Sequence, residues 1–358
     1  MTDMDKPLWP SVPNTFGLDA TADRVIEYHT ETELEQAIVQ GKISDRFLNV
    51  GEGSNMLFLG HYDGTVVRSQ IKDITEVGRT DDYVELRVGS GMIWDDFVGY
   101  CVEHRYFGAE NLTAIPGQVG SAAVQNIGAY GVEAKDLIVK TENIVMRKVD
   151  ASHETSSHET SVPLKCTLVN ADLQYGYRTS LYKTAPLKNH FITYVTFRLS
   201  LRPCYKPDYG TIRQSLEASG LCPDALAADD LPTVRRIITE IRWRKLPRPE
   251  ELGNAGSFFM NPVVPRAQFL ELQGRYPRMP FYEVDGDHVK IPAGWMIEQC
   301  GWKGKNLGRA GVYQHQALVL VNLGGATADE VVALSDAVRQ DVKREFGIDI
   351  YPEVNFIK

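Results

Sequence analysis

The sequence predicts a globular protein of mixed helix and strand with more than one hydrophobic core. Its 358 residues are about two to three times the usual length of a domain. Hydrophobic residues make up 43% and charged residues 24%, which is ordinary for a soluble globular chain. Helical and strand patterns alternate through the first 110 residues, so we expect α and β elements to be interspersed there.

The first elements are short and clearly bounded. Thr30 is a good N-cap for an amphipathic helix over 30–39, and the apolar run at 47–50 predicts a buried strand. Residues 65–68 and 83–88 predict further strands, and 93–103 an amphipathic helix.

At the C-terminal end, TADE at 327–330 predicts a capping box for a helix that Gly347 stops. Alternation over 348–357 predicts a final strand. Its core face would carry Ile348, Ile350, Val354 and Phe356, and its other face Tyr351, Glu353 and Asn355.

Composition and charge exclude several classes of protein. The five cysteines are scattered and form no CxxC pair, which argues against a disulfide framework and against a metal site, so we expect reduced thiols. A net charge of -9 offers no basic surface for nucleic acid. With no apolar run of membrane-spanning length and no secretory pattern at the start, we expect a cytoplasmic protein that is not bound to membranes. We also expect a monomer.

A pentapeptide, SHETS, is repeated at 152–161 in a polar stretch. Its histidines, His153 and His158, could suggest a metal, but no cysteine or carboxylate constellation accompanies them. We predict an exposed loop or hairpin tip and assign it no function.

Two glycine-rich segments stand out as candidate ligand loops. In the first, NVGEGSNMLFLG at 49–60, a dinucleotide-binding fingerprint fails, because Met56 takes the third glycine position and the apolar run after it suits a strand better than a helix. A plain turn or an anion-binding nest of backbone N–H groups both fit. In the second, IPGQVGSAAVQNIGAYG at 115–131, small residues allow either close packing or close approach to a ligand. Two such loops far apart in sequence would suit the long, diphosphate-bearing body of FAD.

Many motifs along the chain resemble the UDP-N-acetylenolpyruvoylglucosamine reductase family (MurB), in its longer type with an inserted tyrosine loop. They cover nearly the whole chain in the order of the family: NTFGLDA, GEGSN, IPGQVGSAAVQNIGAYG, YGYR, YKPDYG, RKLPRP, GNAGSFFMNP, AGWMIEQCGWKG and YPEVNFI. The resemblance implies an α+β, vanillyl-alcohol-oxidase-like FAD-binding fold. It would contain FAD subdomains at 1–78 and 79–245, the second joined by a C-terminal strand at 348–358, and an α/β substrate domain at 246–347.

The same resemblance implies an oxidoreductase with noncovalent FAD that uses NADPH to reduce UDP-N-acetylglucosamine enolpyruvate to UDP-N-acetylmuramate in peptidoglycan synthesis. Neither glycine loop contains a histidine that could tether the flavin, since His61 lies beyond the first motif. The cofactor-binding residues carried over by motif are Gly51, Glu52, Gly53, Ser54, Asn55, Met56, Pro116, Gly117, Gly120, Ser121, Asn126, Gly128, Ala129, Tyr130 and Gly131.

Three residues are carried over as catalytic. Ser257 of GNAGSFF would donate a proton to the substrate carbon, and Arg178 of YGYR and Glu353 of YPEV would stabilise the enolate-like carboxylate. From the residues alone, Gly256 and Ser257 could equally form a tight turn before buried phenylalanines. Arg178 could likewise form a surface salt bridge, and Glu353 could be an ordinary exposed strand residue.

Substrate binding would fall to residues of types that suit a UDP-sugar: Tyr177, Tyr209, Lys245, Asn261 and Gln299. Two departures from the family pattern, Met260 in place of lysine and Asn355 in place of arginine, put local polar contacts in doubt. Two other functions stay open: an oxidase with noncovalent FAD of the same fold, and a nucleotide-sugar binding protein without turnover.

Overall fold

The computed structural model describes residues 9–153 and 156–358, of which 150–153 and 156–159 are described by their backbone alone. The α-helices are α1 (Glu31–Val39), α2 (Trp94–Glu103), α3 (Val119–Gln125), α4 (Ile212–Ala218), α5 (Leu231–Lys245), α6 (Arg266–Arg275), α7 (Ala293–Gln299) and α8 (Ala328–Phe346). The strands of the first half are β1 (Thr21–Tyr28), β2 (Phe47–Asn49), β3 (Met56–Phe58), β4 (His61–Ser69), β5 (Ile74–Arg79), β6 (Tyr83–Gly89), β7 (Gly128–Ala129), β8 (Val132–Glu133), β9 (Ile138–His153) and β10 (Ser156–Val169). Those of the second half are β11 (His190–Ser200), β12 (Asn254–Ser257), β13 (Val263–Pro265), β14 (Tyr282–Glu283), β15 (His288–Lys290), β16 (Asn306–Leu307), β17 (Ala310–Val312), β18 (Val319–Asn322) and β19 (Asn355–Ile357).

Contacts along the chain define two compact units, which are discontinuous in sequence. Unit 1 comprises Met1–Asp23, Gly53–Asp63 and Trp243–Lys358, and unit 2 comprises Arg24–Glu52 and Gly64–Arg242. The division into three domains at 78 and 245 stays a prediction.

Unit 2 is built on an antiparallel sheet with the order β10-β9-β11-β6-β5. Helices α2 and α3 supply part of one core beside this sheet, in which Trp94 and Phe97 pack edge-on and tilted against Phe197. A second core in the same unit contains α1 residues and the stacked rings of Phe47 and Phe191, whose centroids are 5.0 Å apart. The apolar helix faces seen in the sequence thus become buried, which is the main source of helix stability in a folded protein.

Unit 1 has one continuous core, to which α6, α7, α8 and the sheet β12-β18-β17-β16 contribute. Helix α8 buries Val331, Leu334, Val338 and Val342 at helical spacing. A smaller sheet has the order β13-β15-β14, and β19 pairs in parallel with β3.

The helix boundaries confirm the capping predictions. The Thr30 hydroxyl accepts from the Glu33 N–H at 3.1 Å before α1, and Thr327 and Glu330 form the predicted capping box before α8. Gly347 ends α8 with a φ of 69°, the left-handed conformation that favours glycine at this position. The strands predicted at 47–50 and 83–88 and the helix at 93–103 are present with one end shifted by one residue, and the strand predicted at 65–68 lies within the longer β4.

The prediction of one strand over 348–357 is wrong in extent, because only Asn355–Ile357 forms a strand. Ile348, Ile350 and Val354 are buried as predicted, whereas Phe356 is 36% exposed. Residues 348–354 therefore show alternating burial without forming a strand. Pro352 contributes to this, because proline has no backbone N–H to donate to a neighbouring strand. Strand β19 pairs in parallel with β3, which lies within residues 1–78. The joining of 348–358 to 79–245 stays a prediction.

The SHETS repeat is not a simple loop. Its described backbone continues β9 and β10, whose antiparallel register runs from Val169↔Lys140 to Ser156↔His153. The ladder set up by the apolar part of the hairpin thus extends into the polar repeat, while residues 154 and 155 lie outside the described part of the chain.

Two glycines offer a test of whether the left-handed backbone conformation at the end of α8 requires glycine. Gly347 has φ 69° and Gly274 lies in α6, and a Cβ added at either position would meet no atom within 4 Å. We expect Gly347→Ala to lower the free energy of unfolding by about 1 kcal/mol, because alanine is strained at positive φ. The matched control Gly274→Ala should raise it by about 0.5 to 1 kcal/mol, since alanine favours helix. Urea denaturation measures both, and equal shifts of the same sign would contradict the argument.

Candidate functional site

The two glycine-rich loops meet within unit 2. The Gln118 Nε2 donates to Glu52 Oε1 at 3.4 Å, and a Cβ added to Gly51 would lie 3.0 Å from Gln118 Oε1. Arg68 Nε also donates to the Gly51 carbonyl at 3.4 Å. Glycine at position 51 therefore lets the backbone of the first loop lie against the Gln118 side chain of the second loop.

The second loop is held tightly against the end of β6. The N–H groups of Gly120 and Val119 donate to the carbonyls of Ser90 and Met92, each at 2.9 Å. A Cβ added to Gly120 would lie 2.9 Å from the Ser90 Cβ, closer than real side chains approach. Ser121 then caps α3, since its hydroxyl accepts from the Gln118 N–H at 3.0 Å. Pro116, at the start of the loop, is exposed, whereas Gly117 is buried.

Asn126 holds the middle of this loop. It is fully buried with φ 47°, and its amide donates to the Gly176 carbonyl at 2.9 Å and to Glu133 at 3.1 Å. Its side-chain oxygen accepts from the Lys135 N–H at 3.0 Å. The YGYR motif is thereby attached to the loop.

Arg178 and Tyr177 lie at this attachment. Arg178 has φ 56°, and its Nη2 donates to the Gly128 carbonyl at 2.7 Å. A Cβ on Gly128 would lie 3.0 Å from Arg178 Nη1, so glycine is needed for the guanidinium to lie over the backbone. The exposed ring of Tyr177 lies 5.5 Å from the Arg178 Cζ.

The last part of the loop carries Tyr130, against which the predicted substrate residue Tyr209 rests. The two rings meet edge-to-face at 6.1 Å, and Tyr209 is 48% exposed. Burial raises the pKa of the Tyr130 phenol, and the nearby Arg242 opposes that rise. Burial also lowers the pKa of Arg242, while Tyr130 and Asp95 favour its charged form.

Unit 1 contains the remainder of the first loop. A Cβ on Gly53 would lie 2.7 Å from the Pro13 carbonyl, and Gly53 has φ 65°. The Asn55 amide donates to the Glu353 carbonyl at 3.3 Å, and the Asn55 carbonyl accepts from the backbone N–H and the side chain of Asn355 at 3.0 and 3.1 Å. Met56 begins β3, as the apolar run predicted, so no phosphate-capping helix follows this loop.

Ser257 and Glu353 are neighbours on adjacent backbone segments of unit 1. Ser257 is exposed at the end of β12, directly before the buried Phe258 and Phe259. The Glu353 N–H donates to the Phe258 carbonyl at 2.8 Å, and Pro352 bridges to Phe259. The anchoring phenylalanines thus fix the backbone that presents both predicted catalytic residues.

Three predicted substrate residues lie elsewhere in unit 1. Lys245 is exposed at the end of α5, and Gln299 is exposed at the end of α7. The side-chain oxygen of Asn261 accepts from the Ala293 N–H at 2.9 Å, so this oxygen binds the first residue of α7. Among the described contacts, none joins these three side chains to Ser257.

Sequence reasoning missed Gln118, Asp95 and Arg242 as site residues. Gln118 stands within a quoted motif, and its position between Gly117 and Gly120 was a usable signal. Arg242 lies three positions before Lys245 on α5, and Asp95 lies in the first turn of α2. Neither has a local pattern that would point to the glycine loop. Across residues 9–153 and 156–358, no group of three histidine, cysteine or carboxylate side chains is arranged to hold a metal ion.

Comparison with known proteins gives two matching family models. Residues 22–146 match an FAD-binding domain, and residues 248–357 match the C-terminal domain of UDP-N-acetylenolpyruvoylglucosamine reductase. The reductase of Bacteroides fragilis is 52% identical over 344 residues, covering 96% of this chain and 97% of that protein. The chain belongs to the UDP-N-acetylenolpyruvoylglucosamine reductase family.

Further relatives agree with this assignment. The reductase of Porphyromonas gingivalis is 44% identical over 354 residues, covering 99% of this chain and 98% of that protein. A solved structure of the reductase from Thermus caldophilus has the same fold, with a TM-score of 0.65 at 21% identity over 98% of this chain and 99% of that one. The predictions of the family, of an α+β FAD-binding fold and of an FAD-dependent oxidoreductase are thereby confirmed.

Two other predictions can be compared with the structure. All five cysteines are free thiols, as expected. In the part of the chain that the structure describes, no helix has both the length and the apolar character needed to cross a membrane.

The role of Asn126 gives a testable consequence for the loop. Asn126→Ala should lower the free energy of unfolding by about 3 kcal/mol, because it removes three hydrogen bonds from a buried site and leaves alanine at positive φ. The control Gln125→Ala, whose amide meets only an exposed Lys183 among the described contacts, should change it by less than about 0.5 kcal/mol. Equal losses in guanidinium denaturation would show that Asn126 does not anchor the loop.

Proposed function

We propose that this chain reduces the enolpyruvyl ether of UDP-N-acetylglucosamine enolpyruvate to UDP-N-acetylmuramate, with NADPH as reductant and noncovalent FAD as carrier, in peptidoglycan synthesis. The observation that carries the proposal is the meeting of two glycine loops in unit 2 through Gly51, Glu52 and Gln118. These loops lie inside the stretch that matches an FAD-binding domain. The names of the relatives supply the reaction.

The residues present fit FAD. Both loops contain glycines that let the chain pack closely: a Cβ on Gly51 would crowd the Gln118 side chain, and one on Gly120 would clash with Ser90. Tight turns of this kind present backbone N–H groups, which suit the oxygens of a diphosphate. FAD would be held by the two loops with Gly51, Glu52, Gly53, Ser54, Asn55, Met56, Pro116, Gly117, Gly120, Ser121, Asn126, Gly128, Ala129, Tyr130 and Gly131. When bound, FAD supplies hydride, taken from NADPH, to one carbon of the enol ether double bond.

Ser257 would donate the proton that the adjoining carbon requires. Its hydroxyl is exposed on a backbone that Phe258 and Phe259 anchor in the core, which suits a proton donor that must hold one position. A serine is a weak acid, so its contribution would be a rate factor of about a hundred to ten thousand.

Arg178 and Glu353 would act on the substrate carboxylate, where negative charge develops. One N–H of the Arg178 guanidinium is directed to the Gly128 carbonyl, which fixes the plane of a fork suited to a carboxylate. Glu353 would share a proton or hydrogen bond, since an ionised carboxylate beside that of the substrate would repel it.

The UDP-sugar would be bound by Tyr177, Tyr209, Lys245, Asn261 and Gln299. Tyr209 and Lys245 supply a phenol and a cation for the diphosphate, and the amides can read uracil or sugar edges. Membership of the reductase family favours this reaction over an oxidase and over a binding protein without turnover. We also propose that the protein works in the cytoplasm, because UDP-sugars and NADPH are cytosolic metabolites, and that it works as a monomer.

The half-reactions separate the role of Ser257 from the binding of cofactor and reductant. In Ser257→Ala, NADPH should still bleach the flavin absorbance at the wild-type rate. Reoxidation by UDP-N-acetylglucosamine enolpyruvate should slow by about a hundredfold to ten-thousandfold, because only this step needs the proton. Ser219→Ala, an exposed serine of unit 2, is the control for both rates. Anaerobic stopped-flow absorbance measures both rates. Reoxidation of Ser257→Ala at the wild-type rate would refute the assignment of Ser257 as proton donor.

A further inference from the structure

The turn that leads into the second glycine loop contains a strained residue. Ala114 has φ 55° and is 3% exposed, so a buried alanine is held in the left-handed region that disfavours side chains. Such a conformation persists only where surrounding contacts determine it. The residues that follow it are Ile115, Pro116 and Gly117 of the loop, so the direction of the loop depends on this turn.

Asp95, in the first turn of α2, supplies contacts that determine this conformation. Its Oδ1 accepts from the Ala114 N–H at 2.6 Å and from the Thr113 hydroxyl at 2.9 Å. Its neighbour Trp94 adds two more, because the Trp94 N–H donates to the Gly117 carbonyl at 2.9 Å and its indole to the Leu112 carbonyl at 2.8 Å. The start of α2 therefore holds the turn at both ends.

Two arginines of α5 complete the arrangement. Arg235 Nη2 donates to the Asp95 carboxylate at 3.2 Å and to its backbone carbonyl at 3.0 Å, and Nε donates to the Thr113 hydroxyl at 3.1 Å. Arg242 Nε donates to the Ala114 carbonyl at 3.3 Å. Charged side chains thus bind both the N–H and the carbonyl of the strained residue. Ionised partners make such hydrogen bonds stronger than neutral ones.

We propose that Asp95 is a positioning residue for the flavin: it holds Ala114 in its left-handed conformation and so sets the second glycine loop for FAD before the cofactor binds. A loop ordered in advance binds more tightly, since less conformational freedom is lost on association. The proposal rests on the assignment of this loop to FAD under the proposed function. All the residues involved belong to unit 2.

The test is the dissociation constant of FAD, measured by quenching of flavin fluorescence on titration into the apoprotein. Asp95→Ala should raise this constant about tenfold to a hundredfold, because both hydrogen bonds to the turn are lost. Asp95→Asn keeps an oxygen acceptor for Ala114 and Thr113, so it should restore the constant to within about fivefold of wild type. The control Asp96→Ala removes an exposed carboxylate from the same helical turn and should leave the constant within about twofold.

The stability of the apoprotein shows whether Asp95 positions the loop for FAD or only stabilises the fold. If Asp95→Ala lowers the urea midpoint of the apoprotein but binds FAD with the wild-type constant, Asp95 is only structural and the proposal is overturned. Should Asp95→Ala fail to fold, Arg235→Gln leaves Asp95 in place without the fork that orients it. That variant should raise the FAD constant about threefold or more, and a wild-type constant would overturn the proposal.

Gly117→Ala distinguishes this proposal from the loop assignment on which it rests. Gly117 has φ 120°, so alanine there distorts the loop itself. Weaker FAD binding in Gly117→Ala with unchanged binding in Asp95→Ala would overturn positioning alone. Unchanged binding in both would overturn positioning and the assignment of the loop to FAD.

Discussion

The packing of the first glycine loop at Gly51 against the side chain of Gln118 in the second is the constraint on which the candidate flavin site depends. The residues joined by the hydrogen bond beside it, Glu52 and Gln118, are 66 positions apart in sequence. At Gly51 a Cβ would lie 3.0 Å from the side-chain oxygen of Gln118, so a larger side chain there would displace Gln118 from its contact with Glu52. Glycine therefore keeps the two loops in contact within unit 2, and the backbone N–H groups of such turns suit a diphosphate-bearing cofactor.

The surrounding fold keeps these loops in place. Helix α2 and the end of β6 fix the entry to the second loop through Trp94, Asp95 and Ser90. Asn126 attaches the YGYR motif to its middle, and the phenylalanines next to Ser257 anchor the corresponding backbone in unit 1. Buried apolar side chains thus provide rigidity, while a few charged or amide groups give the loops their direction.

Local signals in the sequence predicted much of this structure. Thr30, Thr327 and Gly347 marked helix ends because capping depends on residues within one turn. The length of the final strand was overestimated, because Ile348 and Ile350 are buried even though the chain around them is irregular. The motifs predicted the glycine loops and the catalytic candidates, but Asp95 and Arg235 could not be linked from sequence. They lie 140 positions apart and meet only when α2 and α5 pack together.

The most direct test of the central claim places a side chain where the two loops meet. Gly51→Val and Gly286→Val both add a branched side chain at glycines without positive φ, but only at Gly51 would a Cβ meet neighbouring atoms. Calorimetric titration of each apoprotein with FAD should show binding weakened about tenfold or more for Gly51→Val, because valine displaces the Gln118 side chain that joins the two loops, and wild-type binding for Gly286→Val. A Gly51→Val protein with native circular dichroism and the wild-type FAD dissociation constant would contradict the account.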